Sequence, residues 1–258
     1  MKLIDVHCHL NRSDYGNLDE LINACNAKDV KKIITVGFDI PSSIMAKELA
    51  EDYPCVYFCA GFHPTELSKY KQGDLNIIER LCRHPKCVAL GEIGLDYHYE
   101  DTDKQLERQI FIEQLLLADR LQLPVEIHSR DCAEDMYNIL KEYSPLLKHG
   151  ALLHCYSHSS EMSTQFEKLG LHFSFGGTST YKGSKKARRT IAALNENNLL
   201  TETDSPYLAP KSTYGVFPNT PLSIPEIIAN MAEVRGRTVE EMADIVWANA
   251  HNLFTKLQ

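Results

Sequence analysis

The chain has 258 residues, enough for one large domain with a sizeable core. Its 27 basic and 35 acidic residues leave a formal charge of −8, which argues against broad wrapping of nucleic acid but leaves room for a local phosphate-binding patch. No apolar run approaches bilayer-spanning length, so we expect no signal peptide, no membrane contact and a cytoplasmic location.

The first apolar run, 3–9, reads as a strand with Asp5, His7 and His9 on alternate positions. Alternate side chains of a strand share a face, so two imidazoles one residue apart can reach a single metal ion. A buried strand carries three polar groups on one face only if a ligand or mutual pairing satisfies them. A helical pattern over 17–28 and a strand over 32–37 follow, then a helix over 42–51 opened by Pro41-Ser42. Further strands are expected near 55–61, 87–92, 123–128, 150–156, 170–175 and 198–203. Between and after them, helices are expected near 74–83, 103–121, 131–142, 160–168, 184–195, 223–234 and 238–249. Asp131 is positioned to cap one of these helices, and Thr238-Val239-Glu240-Glu241 has the capping-box pattern for the last. Eight strand–helix units of about 30 residues indicate a single-domain (β/α)8 TIM barrel over 1–258. No GxGxxG follows the first strand, which counts against a dinucleotide fold. The longest irregular stretch runs from Leu208 to Pro221 and is a candidate lid or substrate wall.

Eight cysteines in a chain this long do not form a dense disulfide framework. Cys55, Cys59, Cys87 and Cys155 fall in apolar runs and read as small core residues in a reducing compartment. Cys82 and Cys87 flank His84 without a matching second pair, so no zinc site is expected there.

In such a barrel the C-terminal strand ends form one rim. To that rim the sequence assigns His7 and His9, His63, Glu92, His128 with Arg130, His154, and Asp204. Five of eleven histidines thus fall at equivalent places in the repeat, where chance would scatter them. With Glu92 and Asp204 they offer more ligands than one closed zinc site uses. Glu92 is placed to bridge two ions, with His7, His9 and Asp204 on one and His128 and His154 on the other. Asp5 is expected to orient His7 or His9, or to fill a strand-edge role. Asp96 is expected to do the same for a rim histidine or to stabilise its loop.

These residues occur within DVHCHL at 5–10, GFHP at 61–64, GEIGLDYHY at 91–99, HSR at 128–130, HCYS at 154–157 and ETDSPYLAP at 202–210. In that order they resemble the TatD family of metal-dependent deoxyribonucleases, amidohydrolase-like barrels, over nearly the whole chain. The resemblance implies that His7, His9, Glu92, His128, His154 and Asp204 are two-metal ligands and that His63 lies near the substrate phosphate. It also implies magnesium-stimulated removal of nucleotides from DNA 3′ ends, with RNA as a further substrate.

The expected function is therefore phosphodiester hydrolysis by metal-activated water, as a 3′–5′ exodeoxyribonuclease with one or two divalent ions, Mg²⁺ or Mn²⁺, with Zn²⁺ as an alternative. Asp204 is the expected general base, and Glu92 the bridge. His63 and Arg130 are candidates for the phosphate or leaving-group oxygen, unless Arg130 instead pairs with Asp131 or Glu134. Lys182 opens a segment with five basic residues in eight positions, suited to backbone phosphates or to a solvated helix start. Tyr97, Tyr99, Phe62 and Tyr156 are candidates for base stacking. One stretch departs from the family pattern: where an arginine-glycine-lysine run is usual, Tyr214, Gly215 and Val216 stand. Two other functions compete, hydrolysis of a small ester, lactone or amide by the same centre and a non-catalytic nucleic-acid-binding module.

Overall fold

The structure is a computed structural model and describes residues 1–257. Eight strands run in chain order around one parallel sheet: β1 (Leu3–Cys8), β2 (Val30–Val36), β3 (Val56–Ala60), β4 (Cys87–Asp96), β5 (Val125–Arg130), β6 (Ala151–Leu153), β7 (His172–Phe175) and β8 (Leu199–Thr201). Backbone bonds from Asp204 N–H to the His7 carbonyl (3.0 Å) and from His9 N–H to the Ser205 carbonyl (2.6 Å) join the chain after β8 to the end of β1. The expected barrel is present.

The crossovers are α1 (Arg12–Tyr15), α2 (Leu18–Ala27), α3 (Ile40–Asp52), α4 (Asp74–Cys82), α5 (Lys104–Leu121), α6 (Ala133–Glu142), α7 (Ser160–Glu167) and α8 (Lys185–Ala193). After β8 come α9 (Ile224–Arg235) and α10 (Val239–Leu253). Strands covered on both faces need apolar residues on both, and every residue of β1, β3 and β4 is buried. The capping box of Thr238 and Glu241 forms as its spacing requires. Asp39 and Ser42 form a second one ahead of Pro41, which fixes where α3 begins and so where β2 ends.

The sequence expectations need correction at several points. Asp131 does not cap α6: it lies at φ 56°, one residue before the N-cap position, and its carboxylate meets His98 Nδ1 at 3.0 Å. Strand six is shorter than expected because the chain turns through left-handed backbone at Cys155 (φ 43°), and strand eight ends at Thr201 because Thr203 gives its N–H and hydroxyl to the Asp5 carboxylate (3.0 and 2.5 Å). Cys59 and Cys87 are fully buried, whereas Cys55 and Cys155 are half-buried, and all eight cysteines are free thiols. The 208–221 stretch is irregular apart from a short 3-10 turn at Lys211–Thr213 and the start of another, Pro221–Ser223.

Candidate metal centre

His7 and His9 leave β1 with their Nε2 atoms 3.1 Å apart. Asp204 Oδ1 faces both, at 3.6 Å and 3.4 Å. Glu92, from β4, lies between this group and a second one. Its Oε2 looks toward His7 and His9 at 3.7 and 3.6 Å. Its Oε1 meets His154 Nε2 at 2.8 Å, His128 Nδ1 at 3.1 Å and His63 Nε2 at 3.3 Å. The strand ends thus bring together all six expected ligands, with one carboxylate facing two ways.

Hydrogen-bond partners on the far side of His7, His9 and His128 assign the tautomer of each. His7 Nδ1 meets Glu126 Oε1 at 2.6 Å and His9 Nδ1 meets the Val36 carbonyl at 2.8 Å, so each donates there and turns a lone pair on Nε2 into the site. His128 Nε2 meets Asp96 Oδ2 at 3.0 Å, which leaves the lone pair on Nδ1. With the rings neutral, these lone pairs form with Glu92 and Asp204 a cluster of acceptors that only protons or a cation can balance. Such an array is unfavourable by itself and favourable around a cation. Divalent ions therefore fit the donor set, with His7, His9 and Asp204 able to hold one and Glu92, His128 and His154 another. Three groups of potential ligands, each within 4.8 Å, occur among the described residues: His7, His9 and Asp204; His63, Glu92 and His128; and His7, His154 and Glu202.

His63 differs from its neighbours. Its Nδ1 accepts from Thr65 N–H (3.2 Å) and meets Thr65 Oγ1 at 2.7 Å, so the proton sits on Nε2 and points inward. Burial lowers its pKa, despite the opposing pull of Glu92. Gln114 of α5 holds the loop preceding it by accepting from Phe62 N–H (2.8 Å) and donating to the Phe62 carbonyl (3.0 Å).

The charges obey the same logic. Burial works against ionised Glu92, yet His63, His154 and His128 outweigh it and hold the carboxyl well below its ordinary value. Burial likewise opposes charge on His9, but Asp204 and Glu92 prevail and raise it to about 9. Asp204 is lowered despite burial, chiefly by His9 and His7. A demand for positive charge runs through the whole cluster.

Two supporting carboxylates escaped the sequence reading. Glu126, fully buried on β5, anchors His7 and also accepts from the Cys59 thiol at 3.0 Å. Glu202, also fully buried, accepts from Ser174 Oγ at 2.5 Å and lies 3.7 Å from His154 Nδ1. The signal was available: Glu126-x-His128 and Glu202-x-Asp204 repeat the alternate spacing of Asp5-x-His7. Asp96 does orient a rim histidine, His128. Asp5 does not: its carboxylate accepts from Thr203 N–H (3.0 Å), Thr203 Oγ1 (2.5 Å) and His7 N–H (3.3 Å), bonding β1 to the segment after β8.

The cluster opens into a cavity of about 780 Å³ whose walls include Phe38, His63, Arg130, Tyr207 and Leu208. Arg130 pairs with neither Asp131 nor Glu134; its nearest carboxylate is Asp96, at 3.9 Å. Tyr97 and Lys182 do not line this cavity. The Tyr97 hydroxyl is turned outward, donating to Asp135 (2.9 Å) and accepting from Arg108 (3.0 Å). Lys182 is exposed. Phe62 and Tyr156 are buried and unable to stack on a base, whereas Tyr99 is exposed.

A (β/α)8 barrel with a histidine–carboxylate cluster at its strand ends defines an amidohydrolase-like, metal-dependent hydrolase. The sequence pattern of the family described as TatD related DNase matches residues 4–255, and the chain belongs to that family. It is 37% identical to the uncharacterized metal-dependent hydrolase YabD of Bacillus subtilis, with 98% of each chain covered. It is 33% identical to YcfH of Escherichia coli, likewise an uncharacterized metal-dependent hydrolase, over 98% of this chain and 96% of that one. The crystal structure of YjjV, a TatD homolog from Escherichia coli K12, superposes with a TM-score of 0.93 at 32% identity over 98% of both chains. No helix among the described residues is long and apolar enough to cross a membrane.

Proposed function

We propose that this metal-dependent hydrolase is a 3′–5′ exodeoxyribonuclease that removes nucleotides from DNA ends. The observation that carries the reading is the inward array of acceptors divided by Glu92, with an N–H donor, His63, and a guanidinium, Arg130, at its mouth. When bound, divalent ions supply neutralisation of the phosphate and a lowered pKa for water. His7, His9, Glu92 and Asp204 would hold one, and Glu92, His128 and His154 the other. Asp204 accepts the proton of the attacking water, since its low pKa keeps it ionised and its side chain reaches the cavity; as the water oxygen bonds to phosphorus the P–O3′ bond breaks, and the departing 3′-oxygen takes a proton from solvent. His63 Nε2–H and Arg130 donate to the phosphate oxygens, the arginine through its planar fork. DNA ends and, by the same phosphodiester chemistry, RNA ends are the substrates.

The test uses single-stranded DNA labelled at its 5′ end, incubated with the protein in Mg²⁺ or Mn²⁺, with and without a blocked 3′ end. Stepwise shortening from the free 3′ end alone is expected, and Asp204→Asn should abolish it while retaining the wild-type circular dichroism spectrum. Efficient turnover of a small ester with no shortening of DNA under either ion would overturn the assignment.

A further inference from the structure

Nine large hydrophobic side chains are exposed among the described residues, and five of them lie in the segment 207–217: Tyr207, Leu208, Tyr214, Val216 and Phe217. That concentration needs an explanation, because single exposed apolar residues are ordinary and a contiguous group is not. The group is continuous with the metal centre. The Tyr207 ring is 6.5 Å from that of His9 and 6.3 Å from that of Phe217, so aromatic surface extends outward from the cavity wall. Tyr214 packs edge-on against Tyr181 at 5.3 Å, and the Tyr181 hydroxyl donates to the Ala209 carbonyl at 2.6 Å, which fastens this second ring to the same segment. Lys182, directly after Tyr181, and Lys211, at the start of the 3-10 turn that leads to Tyr214, are exposed and make no ion pair among the described residues.

We infer that Tyr207, Phe217 and Tyr214 form a stacking shelf for the unpaired bases beside the scissile end of a single strand, with Lys182 and Lys211 on its phosphates. Aromatic faces alternating with cations are what a strand without base pairing binds, because every base has a face to stack and every linkage a charge. A duplex hides its base faces and gains nothing from such a shelf. A partner protein would find apolar surface here too, but it would have no use for the continuity with the cavity. This inference rests on the nucleic-acid reading of the centre and adds to it the part of the substrate held outside the metal cluster.

The experiment measures binding, so it does not depend on cleavage. Fluorescence anisotropy of a phosphorothioate-linked decamer, with metal-loaded protein, is compared for a base-bearing strand and an abasic strand of the same length. The variants are Tyr214→Ala/Phe217→Ala and the conservative Tyr214→Phe. The double variant should bind the base-bearing strand about tenfold more weakly or worse, and the abasic strand unchanged. Tyr214→Phe should retain wild-type binding. Equal losses on both strands, or none, overturn the shelf alone. So does a double variant that binds like wild type but loses self-association in sedimentation, which would assign the patch to a second copy. A wild-type protein that binds neither strand removes the nucleic-acid reading and the shelf with it.

Discussion

At the scale of single residues, the chemistry is set by what stands behind each imidazole. A histidine presents one lone pair, and the group at its other nitrogen decides which way that lone pair faces. Glu126 makes this decision for His7, Val36 for His9 and Asp96 for His128, while Thr65 makes the opposite one for His63. Glu126 is therefore the residue whose removal should be most instructive. Glu126→Gln keeps the shape and removes the charge that makes His7 a stronger ligand. Affinity for Mn²⁺ or Zn²⁺ should fall roughly 10- to 100-fold by titration calorimetry, with the circular dichroism spectrum unchanged. An unchanged affinity would mean that Glu126 serves only the core.

At the scale of elements, the ligands depend on how closely β4 and β5 approach. Gly94 lies at φ 143°, and a Cβ there would stand 2.0 Å from the His128 carbonyl oxygen. Gly94→Ala must push one strand away from the other at the point where His128 is held. It should cost about 3 kcal/mol or more, lowering the melting temperature by roughly 10 °C, whereas Gly183→Ala, with nothing within 4 Å, should leave it unmoved. This dependence on close approach also separates what was legible in the sequence from what was not. The order of strands and the meeting of the six expected ligands at one rim were legible, because polar residues recurring at the ends of apolar runs leave a mark at any register. The length of β6 and β8 was not, because the left-handed turn at Cys155 and the capture of Thr203 by the Asp5 carboxylate are set by tertiary packing and not by propensity. Tyr97 was misplaced for a related reason: it follows β4 directly, and its ring is captured by Arg108, Lys104 and Asp135 of the neighbouring helices. Glu126 and Glu202 went unassigned because a buried carboxylate reads as a core error until its imidazole partner is seen.

At the scale of the whole molecule, the barrel gathers Glu92, Asp204 and five imidazoles from strands far apart in sequence into one mouth, and the fold must tolerate that cluster before any ion arrives. Without a cation, protons serve in its place. His9 is held up to about 9 and His154 well above its ordinary value, in each case because nearby carboxylates outweigh the penalty of burial. Below about pH 9 a divalent ion must therefore expel at least one proton to bind. The sign follows directly. Raising the pH removes the competitor, so the metal dissociation constant should fall about tenfold per pH unit between pH 6 and 9 for each proton expelled, then level off. Calorimetry in buffers of different ionisation enthalpy counts those protons independently. Chelation should correspondingly lower the melting temperature, and the drop should grow with pH, since the bound ion stabilises the native state by an amount set by its affinity. A metal affinity independent of pH across this range would show that the imidazoles are already unprotonated in the metal-free barrel, and that the carboxylates there are balanced by some other charge.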